Sequence, residues 1–360
     1  MGLNFGEPAP WIVARSPTNP QYNLSAAAGR FVIMGFLPPG DEALSAALGR
    51  FAARRAMFDD HRLCAFYVVR DAGQIAKARD RFPGLRWFLD DDGQAFRAFR
   101  ALDAEGQAEP HWLLLDPALR VMDRAAFDQG EAFFARLSNL AATPQDHAGV
   151  ALNAPVLIVP RIFEPDLCQQ LIGFYESVGG AVSGVMREVG GLTVPVVDDF
   201  KSRRDATIED ETMRQQLVAR IRRRLIPEIQ KAFQFSPTRI ERHIVACYDA
   251  ASGGYFRPHR DNTTKATMHR QFAVSINLNA EAFEGGDLRF PEFGQRTYRP
   301  PTGGAVVFSC SLLHEATPVT RGRRFAYLPF LYDEAAAKVR DANLSFLVQA
   351  KAEIPADEPA

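Results

Sequence analysis

Around residues 141–155 the hydrophobic rhythm of this chain changes, and the change divides the folds open to it into two problems. The stretch carries Pro144, Gly149 and Pro155 without sustained periodicity, as a connecting segment does. Before it, continuous apolar runs alternate with helical patterns: a strand over 31–36, a helix over 42–58, a strand over 64–69, a helix over 73–82 and a short strand over 85–89. A turn at Asp90 to Gly93 leads to paired strands over 112–115 and 120–122, joined through Asp116 and Pro117, and a helix over 131–140 closes the series. Runs that are apolar throughout suit strands covered on both faces, so this part predicts a mixed sheet flanked by helices. After the connector, Pro165 opens a helix, a loop-like stretch covers 179–205, and a helical run covers 210–233. From Arg239 onward, strand-length runs are separated by Gly and Pro turns, which predicts a β core preceded by packing helices. The expected division is a first domain over 1–140, a linker over 141–155, a second domain over 156–334, and an extension and tail over 335–360 that frays from Ile354 to Ala360.

Composition removes whole classes. A chain of 360 residues exceeds what one core usually organises, and 47% apolar with 24% charged residues disfavours disorder, collagen and coiled coil. A net charge of −1 speaks against a nucleic-acid binder. No window approaches the about 18 consecutive apolar residues of a membrane helix; even Val156 to Val159 is stopped by Pro160 and Arg161. The start lacks a charged, apolar leader, and Gly6 stands where a myristoylation signal wants Ser or Thr, so a cytoplasmic location is expected. Cys64, Cys168, Cys247 and Cys310 form no C-x-x-C and are expected to be buried, reduced thiols.

The chemistry concentrates in the second part. In His259-x-Asp261, alternate residues at an extended strand end project to one face, and His314 brought alongside supplies a second imidazole. Two imidazoles and one carboxylate leave three positions of an octahedral metal open, which suits a ferrous centre holding a bidentate cosubstrate and dioxygen; catalytic zinc normally keeps one open position. Alone, His-x-Asp is a weak signal, and His61, His111, His147, His243 and His269 read as surface or packing residues. Along 271–279, Phe272, Val274, Ile276 and Leu278 form an apolar face, whereas Gln271, Ala273, Ser275, Asn277 and Asn279 form a small polar face that can line a cavity. Arg324 shares its strand face with Ala326 and Leu328, where an unpaired charge is costly and calls for an anionic partner such as a dicarboxylate. Tyr248 lies on the face of Ile244 and Ala246, either as a hydrogen-bond donor to a cosubstrate or as a core tyrosine.

With its His259-x-Asp261, distal His314 and Arg324 ten positions later, the stretch from Pro155 to Asp333 resembles the iron(II)- and 2-oxoglutarate-dependent dioxygenases of the prolyl 4-hydroxylase type. The phrases from His314 to Gly322 and from Glu284 to Phe290 are also close to that family's wording. The resemblance implies a double-stranded β-helix, or jelly roll, with supporting helices. It implies iron(II) on His259, Asp261 and His314, and Arg324 on the far carboxylate of 2-oxoglutarate. It further implies dioxygen as co-reactant, ascorbate supporting turnover, and hydroxylation with decarboxylation of 2-oxoglutarate to succinate. Where many relatives place a tyrosine against 2-oxoglutarate, this chain carries Asn277, which joins Tyr248 as a cosubstrate-binding candidate.

The first part resembles the thioredoxin-like fold of peroxiredoxins through Gly6 to Trp11, Phe31 to Pro39 and His111 to Pro117. A peroxidase of that family needs a cysteine at the start of the helix after the Phe31 strand; here that region reads from Asp41 to Ala46 without one, and Cys64 lies in an apolar strand. The whole chain is therefore expected to be an α+β two-domain protein: a thioredoxin-like α/β domain without peroxidase activity, then a jelly-roll hydroxylase. The first domain's expected use is substrate presentation or homodimer contacts. The substrate is a peptidyl proline, another protein side chain or a small metabolite. The alternative is a non-catalytic scaffold, and Arg220, Arg222, Arg223 and Arg224 read as a solvated helix face rather than a nucleic-acid site. The stretch 179–205 is either a lid over the pocket or an ordinary surface loop.

Overall fold

The computed structural model describes residues 2–348, so the tail expected to fray lies outside the described residues. The chain divides into two compact units, Met1–Ala154 with Phe290–Arg296, and Pro155–Arg289 with Thr297–Ala360.

The first unit is built on a five-stranded sheet in the order Leu85–Leu89, Leu63–Val69, Phe31–Phe36, His111–Leu115, Val121–Ala126. The first three strands run parallel and the last two antiparallel to their neighbours, the thioredoxin-like arrangement. Every residue of Phe31–Phe36 and Leu63–Val69 is buried, which is why both runs are apolar without alternation. Gly35 sits so close beneath Trp112 that a Cβ there would fall 2.4 Å from the indole, so only glycine fits. The second helix is shorter than its periodicity predicts. It ends at Lys77 because Ala78 turns extended and Arg79 binds the freed carbonyls of Ala76 and Ala78. A helix that sequence reading missed, Gln94–Ala98, begins where the Asp90 carboxylate accepts the N–H groups of Ala95 and Phe96.

In the second unit, Pro165–Val178 and the run Glu211–Phe233, which contains a π turn over Ile221–Leu225, pack on one face of a ten-stranded sheet. Leu171, Leu225, Ile229, Val245, Ile276 and Tyr327 share that core. A second, five-stranded sheet contains Tyr255–His259 and His314–Ala316, and the two sheets form the jelly roll. The stretch 179–205 is not a loop. Val185–Val189 and Leu192–Val196 form a hairpin over Gly190 and Gly191, whose φ values of 59° and 79° are those a tight two-residue turn requires. Lys201–Ser202 then joins the smaller sheet and Arg204–Thr207 the larger. Among the described residues, no helix is long and apolar enough to cross a membrane.

Candidate active site

The site lies in a cleft of about 490 Å³ within the second unit, lined from both sheets. His259 ends the strand Tyr255–His259, His314 begins His314–Ala316, and the antiparallel register sets these two residues opposite each other. Asp261 is the second residue beyond the strand, where its N–H donates to the Cys310 carbonyl at 3.0 Å. The ligand-capable atoms of His259, Asp261 and His314 all lie within 4.8 Å of one another. His259 Nε2 is 3.6 Å from one Asp261 oxygen, and His314 Nε2 is 3.4 Å from the other.

Backbone carbonyls fix which nitrogens face inward. His259 Nδ1 lies 2.8 Å from the Arg257 carbonyl oxygen, and His314 Nδ1 lies 3.0 Å from that of Leu312. A carbonyl only accepts, so each Nδ1 carries a proton and each Nε2 is the nitrogen that faces Asp261. Phe256 stacks on His259 with ring centroids 3.5 Å apart, and Phe308 lies 4.5 Å from the His314 ring. Burial, followed by the His259 charge, draws His314 down to about 4, which keeps its imidazole neutral at pH 7. Burial alone raises the Asp261 carboxyl, but His314 and His259 hold it well below the usual carboxylate range.

Across the cleft, Arg324 stands on the strand Val319–Tyr327, paired in register with Tyr248. It is 2% exposed, yet all its contacts are neutral: Nε donates to Asn277 Oδ1 at 3.2 Å, Nη1 to the Gly286 carbonyl at 2.8 Å and Nη2 to Ser275 Oγ at 2.7 Å. Among the described residues it has no carboxylate partner. Gly286 permits this approach, since a Cβ there would fall 2.7 Å from Val319 Cγ2 and 3.3 Å from Arg324 Cδ. Tyr248 lines the cleft, its ring 5.1 Å from the Arg324 guanidinium carbon and its hydroxyl accepting from Arg203 Nη1 at 3.3 Å. Asn277 stands behind Arg324 and donates its other amide end to the Pro300 carbonyl at 3.0 Å.

Sequence reading missed Arg203 and Arg242, which also line the cleft. Arg203 lies in the stretch first read as a loop, and Arg242 precedes a strand, so no periodicity flagged either. The other histidines stay outside the constellation; His269, for example, is held by Glu241. All four cysteines are buried, and burial pushes the Cys64 thiol up to about 11.

Residues 243–332 match the model of the 2OG-Fe(II) oxygenase superfamily, and that span contains His259, Asp261, His314 and Arg324. This stretch is a 2OG-Fe(II) oxygenase domain. A "PKHD-type hydroxylase" of Synechococcus sp. (strain JA-2-3B'a(2-13)) is 25% identical to the chain over 164 residues, covering 43% of this chain and 67% of the relative. Among solved structures, a Trichoplax adhaerens prolyl hydroxylase in complex with a peptide fragment of the hypoxia inducible factor oxygen degradation domain has 21% identity and a TM-score of 0.39, over 57% of this chain and 92% of that one. The Xanthomonas campestris bacterioferritin comigratory protein has 19% identity and a TM-score of 0.32, over 39% of this chain and 99% of that one. The donor set of the oxygenase domain, two imidazole nitrogens with fixed tautomers and one carboxylate, fits an octahedral divalent ion that keeps positions open.

Proposed function

We propose that the chain is an iron(II)- and 2-oxoglutarate-dependent hydroxylase acting on a protein side chain, such as a peptidyl proline, or on a small metabolite. The observation that carries this reading is the pairing, in one cleft, of three converging ligand groups with a buried guanidinium that, among the described residues, lacks a carboxylate partner. His259, Asp261 and His314 would hold the metal. When bound with 2-oxoglutarate and dioxygen, iron(II) supplies the chemistry that couples decarboxylation to succinate with hydroxylation of a C–H bond. Ascorbate would sustain turnover by keeping that iron reduced.

The chain's own groups bind, orient and exclude water. Arg324 offers a planar fork suited to the far carboxylate of 2-oxoglutarate, and desolvation makes an anionic partner valuable there. Asn277 and Ser275 hold that fork in place and act on the cosubstrate through it. Tyr248 walls the same end of the cleft, and Phe256 and Phe308 shield the two imidazoles. The first unit, without a cysteine in the helix Asp41–Ala53, is assigned substrate presentation or homodimer contact rather than peroxidase chemistry.

The test is anaerobic loading with iron(II), with visible absorption read on adding 2-oxoglutarate, then succinate release in air. Asp261→Ala and His259→Ala are expected to lose the absorption band and to cut succinate release roughly a hundredfold or more. Variants that release succinate at the wild-type rate would sink the proposal.

A further inference from the structure

Charge in the cleft does not balance on the proposed reaction alone. Among the described lining residues, Asp261 supplies the carboxylate, and Arg203, Arg242 and Arg324 supply guanidinium groups. Arg203 is matched by Asp205, at 2.7 Å. Arg324 is matched, on the reading above, by the far carboxylate of 2-oxoglutarate. A divalent ion with Asp261 and the near carboxylate of 2-oxoglutarate comes to neutrality. Arg242 is left over.

Arg242 lines the cleft with a half-buried side chain. It stands between the strands Arg239–Glu241 and Ile244–Asp249, where the chain leaves one neighbour, Phe330–Tyr332, and takes another, Val319–Tyr327. Its φ of 68° is in the left-handed region that side chains other than glycine rarely adopt. The preceding Glu241 holds Arg270, and Arg270 and Arg242 both lie over the Phe330 ring, at 4.1 and 4.6 Å. Arg270 therefore has a carboxylate, and among the described residues Arg242 has none. Among the described residues, Arg242 contacts that ring and the Leu328 carbonyl, which accepts from its Nε at 3.3 Å. Burial, with Arg203 and Arg270 nearby, draws it down to about 10, so it stays charged at neutral pH. A partly desolvated guanidinium that lines a ligand cleft, its Nε engaged by the Leu328 carbonyl, presents its remaining N–H groups to an arriving anion.

We infer that Arg242 is a specificity-determining residue that pairs with a carboxylate on the substrate, so the hydroxylated molecule carries an acidic group near the carbon that reacts. This inference rests on the hydroxylase reading and adds the substrate's chemical class to it. The acid is either an Asp or Glu side chain in a peptide or the carboxylate of a small molecule, and both offer the same pairing to a guanidinium.

The test uses full-length protein loaded with manganese(II) and saturated with 2-oxoglutarate, titrated calorimetrically with two matched pairs. One pair is capped Ala-Glu-Ala against capped Ala-Gln-Ala; the other is N-acetylalanine against N-acetylalaninamide. The wild type is expected to bind the acid of at least one pair tenfold or more tighter than its amide, and the pair that discriminates tells peptide from small molecule. Arg242→Met is expected to erase that ratio, and Arg242→Lys to restore part of it. Both keep a non-glycine side chain at the same φ, so backbone strain is unchanged. Equal binding of acid and amide by the wild type, binding of none of the four probes, or an undiminished ratio in Arg242→Met each overturns the inference. So does a tenfold loss of 2-oxoglutarate affinity in Arg242→Met, which would assign the residue to the cosubstrate instead. Failure of the wild type to bind 2-oxoglutarate counts against the hydroxylase reading itself, and the acid-to-amide ratio of the manganese-loaded protein still decides the role of Arg242.

Discussion

The two units bury their strands for different ends. In the first unit the central strands Phe31–Phe36 and Leu63–Val69 are sealed on both faces by apolar side chains, and burial raises the thiol they enclose to about 11. In the second unit the strand Phe272–Asn277 is buried too, but it alternates: Val274 and Ile276 join the core, whereas Ser275 and Asn277 hold the buried Arg324. Burial without polarity yields a scaffold. Burial of polar groups that satisfy one another while leaving a cation open yields a binding site.

The comparison is strained most by Trp112→Ala. Its fully buried indole packs on Tyr67 and Phe134 in the first unit, so the expected loss is roughly 3–5 kcal/mol of stability, read by denaturant unfolding. A loss below about 1 kcal/mol would show that this core is not the tight scaffold described. Next is Arg324→Met, where the expected outcome is a roughly hundredfold drop in kcat/KM for 2-oxoglutarate, about 2.7 kcal/mol, with a melting temperature measured in parallel to separate binding from folding. An unchanged kcat/KM would leave the buried cation without the purpose assigned to it.

A pH measurement sharpens the same contrast. Burial alone raises the Glu241 carboxyl, but the hydrogen bond from His269 and the Arg270 charge hold it down at about 2. A depressed carboxyl stabilises the fold above its unfolded value and loses that contribution as pH falls through the folded value. Stability worth on the order of 3 kcal/mol should therefore disappear between about pH 4.5 and 2. Glu241→Gln is expected to be less stable at neutral pH, with the two unfolding curves converging toward pH 2; parallel curves would exclude the pairing as the cause. The smallest effect is expected at Cys64. Native protein should resist alkylation there, and Cys64→Ser should leave peroxide consumption unaltered. A drop in consumption on that substitution would make the first unit an active redoxin.

Legibility in the sequence followed the range of the forces involved. The strands of the first unit were readable because total burial writes itself as an unbroken apolar run. His259, Asp261, His314 and Arg324 were readable because side-chain chemistry and short spacings are local properties, and the structure gathers all four in one cleft. The hairpin Val185–Val189 with Leu192–Val196 was not readable, since it is half-exposed and lacks clean alternation; only Gly190 and Gly191 hinted at its turn. The helix Gln94–Ala98 depends on a capping carboxylate, Asp90, that precedes it by several residues.

By itself, then, the sequence determined the apolar strands and which side chains offer metal-ligating and acid-pairing chemistry. Tertiary structure decided the rest: the register that opposes His259 to His314, the carbonyls that turn each Nε2 inward, the brace of Asn277 and Ser275 behind Arg324, and the entry of Arg242 into the cleft. These depend on contacts between segments far apart in the chain. Residue type and local periodicity carry no record of which distant backbone a side chain will meet.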